Sequence, residues 1–494
     1  MNEPKTPTLL DALIPVLSLI VMLAMSVYLF GSDSSSGPNQ IVLTLGAAIA
    51  AIVAIQNGHR WKDLLEAIVN GIGTAMGAVL ILLSVGGLIG TWLMAGTVPS
   101  LIFYGLELLN PQLFYVAACL ICAIAALSTG SSWTVAGTLG VALIGVALGL
   151  GLSSAVAAGA IISGAYFGDK MSPLSDTTNL APAVAHTDLF THIRHMAWTT
   201  TPSFVLALIL FTFMGLGADV ESGGESLAML QATLDDSFNI TPFALVPLVV
   251  VFFMAYKKVP PLPTILFGAL LGGFVAIVLQ PDAVLAFSNS PELTPAMSMT
   301  KGVWLALANG YVSTTGVAEV DDLLSRGGMS SMLVTIWLIL TAMAFGAVLE
   351  HSGMLMRLIQ AALRAAKTTG TLVMTVVLTC IGINIVAADQ YIAIVLPGKM
   401  FKAEFDSRRL EPKNLSRVIE DSGTLTSPLV PWNTCGAYMA ATLGVATLAY
   451  LPFVFFNLIN PFVSVIYGFT GFTMERLEDD STDDPRMAPG PASA

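Results

Sequence analysis

Charged side chains are scarce in this chain. Of its 494 residues, 11% are Asp, Glu, Lys or Arg and 55% are hydrophobic, whereas a soluble globular protein carries about 25% charged residues. This shortage excludes one large soluble domain. Apolar runs recur instead, each near the roughly 20 residues that a helix needs to cross the hydrocarbon core of a bilayer. The composition predicts an all-α polytopic membrane protein whose main partner is the lipid bilayer.

Cysteines and enzyme motifs are also rare or missing. Four cysteines do not make a disulfide framework, and Cys119 and Cys122 lie inside an apolar run, which favours packing over redox or metal chemistry. The sequence has no HExxH, GxSxG or P-loop motif, which argues against a metalloprotease, a serine hydrolase and an ATP-driven pump. The net charge of −12 argues against nucleic acid as a partner. We predict a protein that is not an enzyme and has no cofactor.

Ten apolar segments are predicted to cross the membrane fully, at residues 9–30, 41–56, 75–94, 152–182, 198–217, 240–256, 260–279, 331–350, 415–445 and 448–470. The first segment is too long for the apolar part of a signal peptide, so we interpret it as a retained helix. The short segments 97–109 and 303–318 are predicted to lie at the membrane interface.

The orientation follows from Lys and Arg, which gather in short cytoplasmic loops. Basic residues concentrate at 59–62, 194, 257–258, 357–367 and 399–417, whereas the loops 31–40, 218–238 and 281–300 are acidic. The basic loops are therefore predicted to be cytoplasmic and the acidic loops to be outside. Ten crossings then place both termini in the cytoplasm.

Two further apolar blocks, 112–150 and 370–404, are interrupted near the middle by polar residues, STGSSW at 128–133 and NIVAADQY at 384–391. Non-helical backbone at membrane depth is tolerated only where it is buried in protein or lines a watery cavity. Both blocks are therefore predicted to be re-entrant helical hairpins with polar tips.

An internal repeat is visible between the two halves of the chain. The segment ILLSVGGLIG at 81–90 resembles WLILTAMAFG at 337–346, and SPL at 172–174 recurs at 427–429. Each half has five predicted crossings, an odd number, so the second copy must be inverted, as in many secondary transporters. We predict repeat 1 over 1–238, repeat 2 over 239–470, and a disordered acidic cytoplasmic tail over 471–494.

Each half also contains a helix that polar residues are predicted to break. In GDKMSPLSDTTN, residues 168–179, Pro173 removes an amide donor and the small polar side chains compete for backbone hydrogen bonds. Unwinding would place carbonyl oxygens beside hydroxyl and carboxylate oxygens, the ligands that an alkali cation prefers. The second half has its break in EDSGTLTSPLVPWNTCG, residues 420–436.

Four acids at these breaks and tips, Asp169, Asp176, Asp389 and Asp421, are candidates for coupling Na⁺ to H⁺. A carboxylate in a low-dielectric site must be protonated or paired with a cation, so the two ions can compete for the same oxygens. Intramembrane acids are functional by default. For Asp421 the alternative is a capping or surface pair with Glu420.

Other polar residues also have structural alternatives. The side chains near the hairpin tips could cap broken helices while forming the wall of the site; these are Ser131, Ser132 and Asn384. Three histidines follow the first break and titrate where pH regulation operates, but solvated loop residues are the favoured interpretation for all three, His186, His192 and His195.

The segment GAYFGDKMSPLSDTTNLA at 164–181 resembles the NhaC family of Na⁺/H⁺ antiporters, within the wider ion transporter superfamily. LLSRGGMSSML at 323–333 and EDSGTLTSPLVPWNTCGAYMA at 420–440 resemble further blocks of that family in the expected order. The resemblance covers nearly the whole chain. It implies exchange of Na⁺ for H⁺ across the bacterial cytoplasmic (inner) membrane; some similar proteins exchange malate and protons for lactate and sodium.

The resemblance also implies which residues form the site. The first half would contribute Asp169, Ser172, Asp176, Thr177, Thr178 and Asn179. The second half would contribute Asp389, Asp421, Thr424, Ser427, Asn433 and Thr434, and Na⁺ itself is assigned to Asp169, Asp176 and Asp389. The sequence does not determine the oligomeric state, for which a homodimer is one option.

Other functions are less favoured. A carrier of a small organic acid or an amino acid is the rival within transport, and an anionic substrate would need positive charge. Lys170 is the only Lys or Arg near the breaks, which favours a bare cation. A channel is disfavoured because each break is a unique acidic cluster rather than one element of a ring.

Overall fold

The computed structural model describes residues 4–217, 224–364 and 366–477. Within these ranges the chain is helical, and its extended pairing is limited to two isolated bridges, Tyr311 with Arg326 and Leu410 with Arg476. Nine described helices are long and apolar enough to cross a membrane, or eleven if two bent pairs each count as one span. The predicted class, an all-α polytopic membrane protein, is confirmed. The end of the predicted acidic tail, 478–494, lies outside the described residues.

The first half contains ten helices, some joined by short 3₁₀ turns. They are α1 Leu9–Phe30, α2 Pro38–Gln56, α3 Trp61–Met94, α4 Thr97–Leu108, α5 Phe114–Thr129, α6 Ser132–Gly149, α7 Ser154–Met171, α8 Asp176–Ala185, α9 Leu189–Leu216 and α10 Gly224–Ser237.

The second half continues with α11 Val246–Tyr256, α12 Pro261–Leu279, α13 Pro281–Ser288, α14 Pro295–Asn309, α15 Ala318–Leu324, α16 Leu333–His351, α17 Met354–Leu363, α18 Thr369–Val386, α19 Gln390–Ser407, α20 Pro412–Ile419, α21 Thr434–Leu443, α22 Thr447–Tyr450 and α23 Phe455–Thr470.

Most predicted crossings coincide with helices, but several boundaries differ. The segment 75–94 is the end of the 34-residue helix α3, and 198–217 begins earlier, at Leu189. The segment 240–256 was predicted as one crossing. It consists of a 3₁₀ turn and the 11-residue helix α11, and the chain bends by 88° between Ala228–Ser237 and Pro242–Tyr256. Pro242 and Pro247 explain this shortening, because proline fits only the first turn of a helix without loss.

The two predicted helix breaks are present. α7 ends at Met171, Ser172–Ser175 are not helical, and α8 starts at Asp176. In the second half, α20 leads into a π-helical turn at Glu420–Thr424 and a 3₁₀ turn at Ser427–Leu429 before α21 begins at Thr434. Prolines and small polar side chains thus interrupt both helices where the sequence predicted.

The two hairpin tips also lie within the predicted polar stretches. α5 and α6 meet at Gly130, and α18 and α19 meet at Ala387–Asp389. Gly130 has φ +71°, and a Cβ there would lie 2.6 Å from Leu174 Cβ, so this tip requires glycine. Helices α6 and α18 each have 18 residues, and α5 with its preceding turn has 19, so each is long enough by itself to cross a membrane. The re-entrant course and the inverted relation of the halves stay predictions.

Close packing of α5 against α7 holds the first tip beside the first break. A Cβ at Gly164 would lie 2.0 Å from the Cys119 carbonyl oxygen, and one at Gly168 would lie 2.3 Å from the Ala123 carbonyl oxygen. Small residues permit such an approach between membrane helices. Asp169 directly follows Gly168, so this packing also sets the depth of that carboxylate.

We expect Gly164→Ala to destabilise the protein by about 1–3 kcal/mol, because the added methyl group meets backbone rather than a movable side chain. The measurement is the thermal unfolding midpoint in detergent. Gly382→Ala is the matched control, since a Cβ there meets nothing within 4 Å. Equal midpoints for the two variants would contradict the proposed packing.

Candidate functional site

The tips and breaks of both halves enclose one cavity of about 690 Å³. Its wall includes residues from the first tip, the first break, the second tip and the start of α21. The loop from Ala255 to Pro261 also lines it, and because Lys258 of this loop is exposed, we infer that the mouth of the cavity lies there. Seven of the predicted site residues line it: Ser131, Ser132, Asp169, Asp176, Thr177, Asp389 and Thr434. The structure therefore brings residues from both halves of the sequence to one space.

Asp169 is one of two buried acids in this wall. It lies in the last turn of α7 and is 9% exposed. The backbone amide and the hydroxyl group of Ser132 both donate to its Oδ2, at 3.1 and 2.6 Å. Ser132 is the first residue of α6, and Ser131 caps that helix through the Thr134 amide at 3.2 Å. The positive end of α6 thus faces the carboxylate.

Asp389 is the second buried acid of the wall and lies at the second tip. It caps α19 by accepting the Ile392 amide at 2.9 Å, and it is 8% exposed. Asp176, at the start of α8, is exposed to the cavity, and the Tyr391 hydroxyl group donates to its Oδ2 at 3.5 Å. No three Asp, Glu, His or Cys side chains among the described residues converge on one metal-sized point. The three acids assigned to Na⁺ therefore share a cavity but do not form a single cage.

Six of the other eight predicted site residues hold the broken backbone rather than line the cavity. Their polar groups bond to carbonyl oxygens that the breaks leave unpaired. In the first half these bonds are Ser172 Oγ to Leu127 O at 2.9 Å, Thr178 Oγ1 to Lys170 O at 2.9 Å, and Asn179 Nδ2 to Ser175 O at 2.7 Å.

The second half repeats this arrangement with amide side chains. The bonds are Asn384 Nδ2 to Gly423 O at 2.7 Å, Asn433 Nδ2 to Asn384 O at 3.2 Å, and Ser427 Oγ to Thr424 O at 2.7 Å. Asn384, Thr424, Ser427 and Asn433 are all fully buried. Their direct contact with a transported ion stays a prediction.

Lys170 and Asp421 form a buried ion pair behind the cavity. Both side chains are 0% exposed, and Lys170 Nζ lies 2.5 Å from Asp421 Oδ1. The Thr199 hydroxyl group donates to the same oxygen at 3.1 Å. The alternative interpretation of Asp421 as a surface residue was wrong, because the π-helical turn faces α7 and α9. As expected from helix geometry, Lys170 does not pair with its neighbour Asp169.

Two of the three histidines are not in a solvated loop, contrary to the sequence interpretation. His192 and His195 lie on α9 and are buried, whereas His186 is exposed. His192 Nδ1 is 2.6 Å from Ser416 Oγ, and His195 Nδ1 is 3.7 Å from Glu475 Oε1. Glu475 itself is half-exposed, and the Lys413 ammonium group beside it lowers the pKa of its carboxyl group below the usual value.

Some lining residues had not been identified as candidates. Lys258 is at the cavity mouth, and Gln390, Tyr391 and Cys435 are in its wall. Tyr391 belongs to the polar stretch at the second tip, so the sequence already indicated that it could lie near the site. No local sequence pattern indicated Cys435. It lies in the wall because the fold brings α21 to the second tip, where the Cys435 thiol donates to Gln390 Oε1 at 3.0 Å.

These features define a polytopic α-helical membrane protein with an acidic cavity between two broken helices. The sequence model of the Na⁺/H⁺ antiporter family matches residues 164–472, and the chain belongs to this family. The Na⁺/H⁺ antiporter NhaC of Alkalihalophilus pseudofirmus is 39% identical over 432 residues, which cover 87% of this chain and 90% of that protein. The resemblance to the NhaC family is confirmed, and the family is one of membrane transporters.

Relatives named for other substrates are similarly close. The malate-2H⁺/Na⁺-lactate antiporter of Bacillus subtilis is 37% identical, covering 95% of this chain and 96% of that protein. The arginine/ornithine antiporter ArcD of Halobacterium salinarum is 36% identical, and the match covers 98% of this chain and 97% of that protein. Antiport is common to these names, whereas the exchanged solutes differ.

We expect Lys170→Met to destabilise the protein by about 3–5 kcal/mol, because it leaves Asp421 buried without its counter-charge. Adding Asp421→Asn should restore much of the loss. The unfolding midpoint in detergent measures both effects. Lys402→Met is the control: Lys402 lies 3.1 Å from Asp406 in a half-exposed pair and should contribute about 0–1 kcal/mol. A Lys170→Met midpoint equal to that of the control would refute the buried pair.

Proposed function

We propose that the protein is a secondary active transporter that exchanges Na⁺ for H⁺ across the cytoplasmic membrane by alternating access, with Na⁺ bound at Asp169. The observation that supports this most directly is the position of Asp169. Its carboxylate faces a cavity, is oriented by Ser132, and lies at the carbonyl end of α7, where the helix dipole favours a cation.

The charge of the cavity supports a cationic substrate. Its described lining includes three carboxylates, Asp169, Asp176 and Asp389, against one ammonium group, Lys258, at the mouth. Lys170, the cation that an anionic substrate would need, is fully buried in its pair with Asp421. A cation entering this cavity therefore gains favourable electrostatic energy, and an anion loses it.

The cavity mouth supports an inward-open state. The loop from Ala255 to Pro261 contains Lys257 and Lys258, and Lys-rich short loops are cytoplasmic. Ions would thus reach Asp169 from the cytoplasm in this conformation, and rocking of one half against the other would expose it outside. Cytoplasmic termini belong to the same proposal.

Exchange of an organic substrate is the second candidate. A cavity of about 690 Å³ is far larger than a bare ion requires, and two relatives are named for malate and lactate or for arginine and ornithine. The negative lining favours a cationic amino acid over an organic acid, because malate would find only Lys258 to neutralise it.

Reconstituted proteoliposomes containing a pH-sensitive dye test the proposal. Na⁺ added to acid-loaded vesicles should drive proton efflux, whereas malate and arginine should not. Asp169→Asn should reduce the Na⁺ response about tenfold or more, because it removes the charge that binds the ion. Asp282→Asn, on the exposed first turn of α13, should behave as wild type. Proton movement with arginine or malate alone, or full activity of Asp169→Asn, would overturn Na⁺/H⁺ exchange at Asp169.

The orientation can be tested by labelling single introduced cysteines, because all four native cysteines are buried. Lys258→Cys should react with a membrane-impermeant maleimide only from the cytoplasmic side. Glu292→Cys, in the exposed loop predicted to be outside, should react only from the outside. The reverse pattern in intact cells would contradict the inward-open assignment.

A further inference from the structure

A cluster of buried charges lies beside the Na⁺ site but does not line the cavity. It consists of Lys170, Asp421 and Glu420, each 0% exposed. Resting on the proposed function, we propose that Glu420 is the residue that carries the transported proton, at a site distinct from that of Na⁺. The proposal replaces direct competition at Asp169 with two neighbouring sites coupled through charge.

Two buried cations lie near the two carboxylates, but Lys170 is paired with Asp421 and Arg417 donates to Thr473 and Met474, so Glu420 has no ion pair among the described residues. Both carboxylate oxygens of Glu420, Asp421 Oδ2 and Thr424 Oγ1 are buried, and none has a hydrogen-bond partner among residues 4–217, 224–364 and 366–477. An ionised carboxylate without donors in a protein interior is strongly disfavoured. Protonation removes that charge and gives Glu420 a donor of its own.

The surroundings suit a proton better than a sodium ion. Sodium requires several oxygen ligands at once, and the neighbouring ammonium group of Lys170 repels a second metal cation. A proton needs only one oxygen. The hydroxyl groups of Thr177 and Thr424 lie beside the Glu420 carboxyl group without bonding to it in this arrangement, and each can accept a hydrogen bond from the protonated form or, by rotating, donate one to the ionised form.

Charged and titratable groups around the cluster come from four helices, α7, α9, α18 and α20, and Tyr467 of α23 acts on Arg417. Lys170 and Asp169 belong to α7, and both act electrostatically on Glu420. Cys380 of α18 faces Glu420, Arg417 of α20 acts on Asp421, and His192 of α9 acts on Lys170. Asp169 is the group in this set that also lines the cavity.

This proximity supplies the coupling. With an empty Na⁺ site, the negative charge of Asp169 adds to that of Asp421 and makes the ionised form of Glu420 costly, so Glu420 binds a proton. Na⁺ at Asp169 cancels that charge and lowers the cost, so the proton leaves. Because each ion weakens binding of the other, the two are carried in opposite directions, as reciprocal linkage requires.

The test is Glu420→Gln, which is permanently neutral and has nearly the same shape. In proteoliposomes, exchange of radioactive Na⁺ for unlabelled Na⁺ moves no net proton, so at saturating Na⁺ its rate should stay within about twofold of wild type, with a raised KM because the neutral glutamine mimics the protonated state. Na⁺ uptake driven by a pH gradient should fall about tenfold or more, because the proton-transferring group is gone. Asp169→Asn is the control and should lose both activities.

The outcomes separate this inference from the proposed function. Absence of Na⁺-driven proton movement in the wild type would refute the proposed function. Normal pH-driven uptake by Glu420→Gln would refute the inference alone.

Infrared spectroscopy of the purified protein gives a readout that does not depend on transport. The wild type should show the C=O stretch of a protonated carboxyl group that weakens when Na⁺ is added, and Glu420→Gln should lack it. The same band in the variant would overturn the assignment. If the glutamine variant does not fold, Glu420→Asp keeps a carboxyl group and should shift the pH profile of transport, whereas an unchanged profile would refute the role of Glu420.

Discussion

The cost of burying charge in a membrane protein is the constraint on which the rest of this structure depends. Water is absent from the bilayer core, so a carboxylate there must be protonated, paired or bound to a cation. Asp169 is stabilised by the amino end of α6 through Ser132, and Asp421 by Lys170. Under the proposed function, a carboxylate without such a partner is where a transported cation would be stabilised.

Interlocking of the two halves positions these charges. The Tyr438 hydroxyl group of α21 donates to the Trp133 carbonyl oxygen of α6 at 2.8 Å, and the two rings stack with centroids 4.0 Å apart. The Thr434 amide donates to the Ala388 carbonyl oxygen at 3.0 Å, which joins the second break to the second tip. A movement of one half would therefore rearrange both ion-binding regions together, as alternating access requires.

Local sequence predicted the helix breaks well, because proline, glycine and small polar residues act within a few positions of themselves. The breaks at Ser172–Ser175 and before Thr434, and the tips at Gly130 and Asp389, are examples. Asp169 was singled out because intramembrane acids are functional by default, against the alternative of a residue at headgroup level, and its role in ion binding stays a prediction.

Long-range pairing could not be predicted in the same way. Lys170 and Asp421 are 251 residues apart, and no local pattern marks them as partners. Burial of His192 and Glu420 depends on which helices cover them, and single-sequence periodicity does not contain that information. The segment predicted at 240–256 is helical over Pro242–Tyr256, but its sharp bend against Ala228–Ser237 was not predicted, because the angle between two helices depends on what they pack against.

The central claim is that buried negative charge stays balanced, so that one cation enters as another leaves. Calorimetric titration of Na⁺ into the purified protein, repeated in buffers of different ionisation enthalpy, measures it most directly. The account predicts that Na⁺ binding releases protons and that this release is lost when Glu420 is replaced by Gln. Na⁺ binding with no proton release in the wild-type protein would contradict it.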